Sequence, residues 1–167
     1  FKHIAFSLFL TASPALAGQI TAADFPPVNP LKAELGQLLF YDKILSGNRN
    51  ISCGSCHSHE QHSGDGLSLG IGEGGTGSGA KRTAGEGANR IHKRIPRNAP
   101  ALWNLAHKDM TVFFHDGRLT KSEIFGNGFK SPAEERLPQG LDNLIAAQAL
   151  FPITAQHEMA GNPKENE

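Results

Sequence analysis

The sequence predicts an all-α domain with little β structure, threaded by one long glycine-rich loop. Three observations carry this. Two segments hold apolar residues at helical spacing behind helix-starting signals, no run of alternating polar and apolar residues is long enough for a substantial strand, and Gly64 to Asn89 lacks apolar periodicity. With 167 residues the chain fits one domain large enough to bury a core.

The first 17 residues stand apart. Lys2 gives a positive start, Ile4 to Leu10 form an apolar run broken by Ser7, and Ala15-Leu16-Ala17 supplies a small-x-small cleavage pattern. This predicts a secretory signal cut after Ala17, an exported and periplasmic product, and a mature domain over 18–167. The run falls well short of the roughly 20 residues that span a bilayer. The chain opens on Phe1, and the true start is expected upstream.

Asn29 and Pro30 provide a cap and a first helical position, and Leu31, Leu35, Leu38 and Leu39 follow as a stripe, so a helix is expected to end near Tyr41. Asp42 to Ser52 is polar and reads as a loop. Gly64 to Asn89 reads as an irregular, mobile loop; Gly70-Ile71-Gly72-Glu73-Gly74-Gly75 within it matches a dinucleotide fingerprint only formally, with neither strand before nor helix after. A short helix is expected from Ala99 to His107, begun by Pro100. Thr111 to Phe114 is a small apolar run, and Leu119 to Gly140, with its glycines and prolines, reads as a surface excursion. Leu141, Leu144, Ile145 and Ala149 return to helical spacing. No internal repeat is seen.

Sixteen basic residues balance sixteen acidic ones, so no overall field recruits nucleic acid or an acidic membrane surface. The two cysteines sit three apart, too close for an ordinary structural disulfide. They belong to Cys53-Gly54-Ser55-Cys56-His57, the C-x-x-C-H pattern of covalent haem attachment: both thiols add to the haem vinyl groups and the adjacent histidine ligates the iron. A thioredoxin-like pair needs a βαβ context, and zinc needs a second ligand pair of comparable spacing. The predicted domain is therefore cytochrome c-like, with one covalent haem c. What occupies the second iron face decides the class, a methionine making an electron carrier and an open face admitting peroxide. Met110 and Met159 are the methionines; His59, His62, His92, His107, His115 and His157 are formally available too.

From Leu35 to about Met159 the sequence resembles the bacterial di-haem cytochrome c peroxidase family, which also contains the methylamine-utilisation di-haem enzyme. The resemblance runs through ordered blocks: Leu35-Gly36-Gln37-Leu38-Leu39-Phe40 with Asp42, Leu45-Ser46, Ser52 to His57, Asp65-Gly66, Arg97-Asn98-Ala99-Pro100, Asn104, Asp116-Gly117-Arg118, Gln148, Pro152-Ile153 and Glu158-Met159. It implies that His57 is the proximal ligand of the peroxidatic haem and that Glu158 is the distal acid–base group. Gln148 and Pro152 are then expected in the same distal pocket, and Asn98 at a calcium. His115 stands where the family has an inter-haem tryptophan, which places it near a haem edge. Glu73 stands where many members have a removable histidine ligand, so an open distal face is expected. The second C-x-x-C-H is absent, and the chain is expected to represent the N-terminal haem domain of a longer protein.

The leading expectation is a periplasmic domain that reduces hydrogen peroxide with electrons from a small c-type cytochrome or a cupredoxin, delivered through a second haem. The resemblance also allows a homodimer. The alternatives are a mono-haem electron-transfer cytochrome with Met110 or Met159 as sixth ligand, and a peroxide-dependent oxidase of a partner protein.

Overall fold

The computed structural model describes residues 18–163, so the signal-like stretch 1–17 lies outside the described residues. Three α-helical segments appear, α1 (Pro30–Tyr41), α2 (Cys53–Cys56) and α3 (Leu144–Thr154). A three-stranded antiparallel sheet, β1 (Val112–Phe113), β2 (Leu119–Lys121) and β3 (Phe129–Lys130), joins them in the order β1-β2-β3. Short 3-10 turns and a π-type turn at Gln156–Ala160 fill much of the rest. The all-α expectation is thereby overturned, since the chain is only 32% helical and its packed centre is built on a sheet.

The reason lies in Leu119 to Gly140, which is no surface excursion. Phe113 pairs with Leu119 and Lys121 with Phe129, and this register turns Phe113, Leu119 and Phe129 to one buried face. Gly126 and Gly128, which suggested an exposed loop, form a hairpin corner with positive φ, as Gly117 does at the corner before β2. The Asn127 side chain locks the second corner, donating to the carbonyls of Glu134 (2.8 Å) and Leu137 (3.2 Å) and accepting from Phe129 N (3.1 Å). Against this face α3 lays Leu144 and Ala147, and Leu137 completes the core. Phe114 and Phe151 meet edge-on at 5.2 Å beside it, with the Arg118 guanidinium 4.4 Å above the Phe114 ring.

α1 has the predicted bounds, with the Asn29 side chain accepting from Lys32 N at 3.1 Å and Pro30 in the first turn. Its leucine stripe, however, faces outward, Leu31 being 78% and Leu38 66% exposed. Its first turn is tied by an exposed ion pair, Lys32 Nζ to Asp142 Oδ2 at 2.7 Å, and its C-terminal end by packing: a Cβ on Gly54 would lie 2.8 Å from Tyr41 Cδ1, so the glycine lets the tyrosine ring cover α2. α3 forms where helical spacing was expected but begins at Leu144 rather than Leu141, with Asn143 Oδ1 accepting from Ala146 N at 2.9 Å. The expected helix from Ala99 to His107 does not form. Asn104 takes a left-handed backbone (φ 56°), which stops a helix begun at Pro100, and the Trp103 indole N–H instead donates to the His62 carbonyl at 3.1 Å.

The glycine-rich loop is irregular, as its composition predicts, yet it is anchored rather than loose. Ile71, Glu73 and Arg82 are buried within it, and Thr76 and Thr83 form a small antiparallel bridge.

Candidate functional site

The site grows from α2. Its first turn is closed by Ser52 N donating to Ser55 Oγ (3.0 Å), and His57 N continues the turn by donating to Cys53 O (2.9 Å). Cys53 and Cys56, one helical turn apart, therefore share a face, and both thiols are free. Burial raises both thiol pKa values and pushes Cys56 up to about 11, with Asp65 and Glu158 adding to the rise and Arg82 opposing it. Both are neutral thiols at pH 7, the form that adds across a vinyl group. Cys56 Sγ–H points at the Ile71 carbonyl, 3.8 Å away.

His57 is aimed by the next turn. His62 and Ser63 both adopt left-handed backbone (φ 53° and 64°), folding the chain back so that the Ser63 carbonyl meets His57 Nδ1 at 2.8 Å. A carbonyl can only accept, so Nδ1 carries the proton and the Nε2 lone pair is left for a metal.

Glu158 sits in the π-type turn, and its surroundings include the site of attachment. Burial raises its carboxyl pKa, while the charges of His57 and Arg118 pull the other way. The carboxyl is near enough to Cys56, His57 and Arg118 for their charges to act on one another. Its backbone is pinned by the glycine-rich loop: Glu73 N–H donates to Glu158 O at 2.7 Å, and a Cβ on Gly72 would fall 1.9 Å from the His157 carbonyl. Gln148 projects from α3 with Oε1 buried and without a hydrogen-bond partner among the described residues.

These residues fit a covalent haem. Two neutral thiols share a face, a histidine is held in the ligating tautomer, and a buried acceptor on α3 lacks a mate among the described residues. A cavity of about 610 Å³ is lined by Gly54, Ser55, Tyr41, Lys43 and Arg82, and neither cysteine nor His57 is among its lining residues.

The other predicted residues divide. Met159 is buried next to Glu158, with its carbonyl accepting from Gly47 N at 2.9 Å, whereas Met110 is 41% exposed. His115 is exposed in the β1–β2 corner and accepts a hydrogen bond from Arg97 Nη2 at its Nε2. Asn98 turns its amide nitrogen to the Leu67 carbonyl (2.6 Å) and Asp65 Oδ1 (3.3 Å). No group of three or more His, Cys, Asp or Glu side chains stands ready for a metal ion among the described residues. Sequence reasoning missed Ser63, whose carbonyl holds His57, and Gly72, whose backbone packs against the His157 carbonyl beside Glu158. Nothing in their residue types signals that role, because a carbonyl is available at every position.

The family model described as di-haem cytochrome c peroxidase matches residues 30–167. A protein named cytochrome-c peroxidase IdrP2 from Pseudomonas sp. (strain SCT) is 34% identical over 116 residues, 66% of this chain and 26% of that protein. The methylamine utilization protein MauG of Methylorubrum extorquens is 30% identical over 133 residues, 80% of this chain and 26% of its own. Cytochrome c551 peroxidase of Pseudomonas aeruginosa is 27% identical over 135 residues, 81% of this chain and 33% of its own. The chain thus spans between 26% and 33% of the length of these relatives.

Proposed function

We propose that this chain, which belongs to the di-haem cytochrome c peroxidase family, carries the peroxide-reacting haem of a longer exported enzyme. Cys53 and Cys56 hold the haem, His57 Nε2 ligates its iron, and the distal chemistry falls to Glu158. The observation that carries the reading is the seating of Glu158, whose half-buried carboxyl sits in a turn tied to the glycine-rich loop by Glu73 N–H donating to Glu158 O at 2.7 Å, with burial raising the carboxyl pKa.

The reaction is H2O2 plus two electrons and two protons giving two waters. When bound, the haem would supply an iron that takes peroxide and would pass on the electrons that cleave the O–O bond. Glu158 takes the proton from the near oxygen of peroxide and returns it to the far one, so that water rather than hydroxide departs. Burial suits it to that transfer: a carboxyl held above its ordinary pKa is a stronger base for taking the peroxide proton and still acid enough to pass it on. Arg118, whose charge lowers the same pKa, keeps the carboxylate form from becoming too costly. Gln148 Oε1 offers the distal space an acceptor for a peroxide O–H.

Periplasmic location is supported by the signal-like first 17 residues, and entry of electrons through a second haem, from a small c-type cytochrome or cupredoxin, by the family to which the chain belongs. One observation favours a second reading: buried Met159 adjoins Glu158, and as a sixth ligand it would make an electron carrier. A weak absorption band near the red end reports such a methionine–iron bond.

The test is Glu158→Gln in the full-length, haem-loaded protein. The absorption spectrum should be unchanged while peroxide consumption falls by about 10²–10⁴-fold. A rate within twofold of the parent removes Glu158 from the mechanism.

A further inference from the structure

Arg82 is the one buried cation among the described residues, at 4% exposure. Its three hydrogen bonds go to carbonyls rather than to a carboxylate: Nε to Ile71 O, Nη2 to Gly72 O and Nη1 to Gly77 O, each 2.8 Å. A buried charge is costly, and a loop of glycines gives little in return by packing, so this placement calls for a function beyond loop closure.

The carbonyls it holds lead in two directions. Ile71 O is also the acceptor facing Cys56 Sγ. The residue after Gly72 donates its N–H to Glu158 O at 2.7 Å, and Gly72 itself lies too close to the His157 carbonyl for any side chain. The segment Ile71–Glu73 is therefore a strut, with the guanidinium fork at one end, the attachment turn beside it and the π-type turn of Glu158 at the other.

We propose that Arg82 is a positioning residue for Glu158: it fixes the Ile71–Glu73 backbone, which in turn fixes where the Glu158 carboxyl stands relative to the haem-attachment turn. This deepens the peroxidase reading and rests on it. The planar fork reaches two successive carbonyls and a third across the loop at once, which a lysine ammonium on a flexible stem does not reproduce. Misplacing a proton-transfer group by about 1 Å can cost about 10²-fold, so loss of the fork should be read in catalysis even where the fold survives.

The experiment is a double-mutant cycle on peroxide consumption in the haem-loaded, full-length protein. Arg82→Lys should keep covalent haem and its spectrum, lower kcat by about tenfold or more, and leave KM nearly unchanged. The same substitution made on Glu158→Gln should add less than twofold, because its effect runs through the missing carboxyl. A rate for Arg82→Lys within twofold of the parent, or a loss that multiplies with that of Glu158→Gln, overturns the inference while leaving the peroxidase reading intact. If Glu158→Gln is itself parent-like, the reading falls, and the inference with it. A second measurement covers poor folding of the lysine variant. Arg82 lines the cavity of about 610 Å³, through which a small cation can reach the vacated place in Arg82→Ala. Added guanidinium ion should restore rate when Glu158 is present and not in Glu158→Gln; no restoration, or equal restoration in both, counts against the proposal.

Discussion

From Val112 to Thr154, Phe113, Leu119, Phe129, Leu137, Leu144 and Ala147 close on one another in a single apolar core. From Pro30 to Asn98, Ile51 and Ile71 are the buried apolar residues among those described, and the other buried groups there are Ser46, Ser52, Ser63, Asp65, Glu73 and Arg82. One half is held by side chains that exclude water, the other by polar side chains that satisfy backbone carbonyls and amides. A region whose interior is polar and whose helix turns its leucines outward has little hydrophobic stabilisation of its own. In the proposed reading, a haem fixed to Cys53 and Cys56 would give that half an apolar centre of its own. The comparison thus ties the unusual packing of the N-terminal half to its proposed task.

The largest expected effect follows directly. Intact mass should exceed the polypeptide by one haem that acid–acetone does not extract, and replacing both Cys53 and Cys56 by Ala should abolish that attachment. In the double variant, amides from Ser46 to Glu73 should lose hydrogen-exchange protection, while those of Phe113, Leu119 and Phe129 keep theirs. Equal loss in both halves would break the distinction.

Next in size is Leu119→Ala. Leu119 is 0% exposed at the centre of the sheet–helix core, so its truncation should destabilise the folded state by about 2–5 kcal/mol in denaturant titration, with haem attachment retained. A cost below about 1 kcal/mol would mean that the core is looser than its burial implies.

How much of this was legible beforehand depends on whether side chains or backbone carry each feature. α1 and α3 were readable because caps and stripes are written in residue types: Asn29 with Pro30, and Leu144 with Ile145. The candidate attachment motif stands out in the sequence because two thiols and an imidazole have few other uses at that spacing. The sheet was not, since strands of two or three residues are too short to show alternation, and the glycines that shape its corners look the same as glycines in a loose loop. The supports of the site were hidden for a related reason. Ser63, Gly72 and the three acceptors of Arg82 act through carbonyls, and a carbonyl leaves no mark in a sequence.

The smallest expected effect tests the outward stripe of α1. Asn29 Oδ1 accepts from Lys32 N, and losing such a cap costs a helix typically about 1 kcal/mol. That cost reaches the global stability only if melting the helix exposes something. No residue of α1 is buried, and its packed contact is the Tyr41 ring over Gly54 at the opposite end. Asn29→Ala should therefore fray the first turn, seen as faster exchange of amides Lys32 and Ala33, while shifting global unfolding by less than about 0.5 kcal/mol. A global shift near the full 1 kcal/mol would show the leucines of α1 covered in solution. The N-terminal half would then have a second apolar face beside the haem, and the contrast between the two halves would narrow to the attachment turn alone.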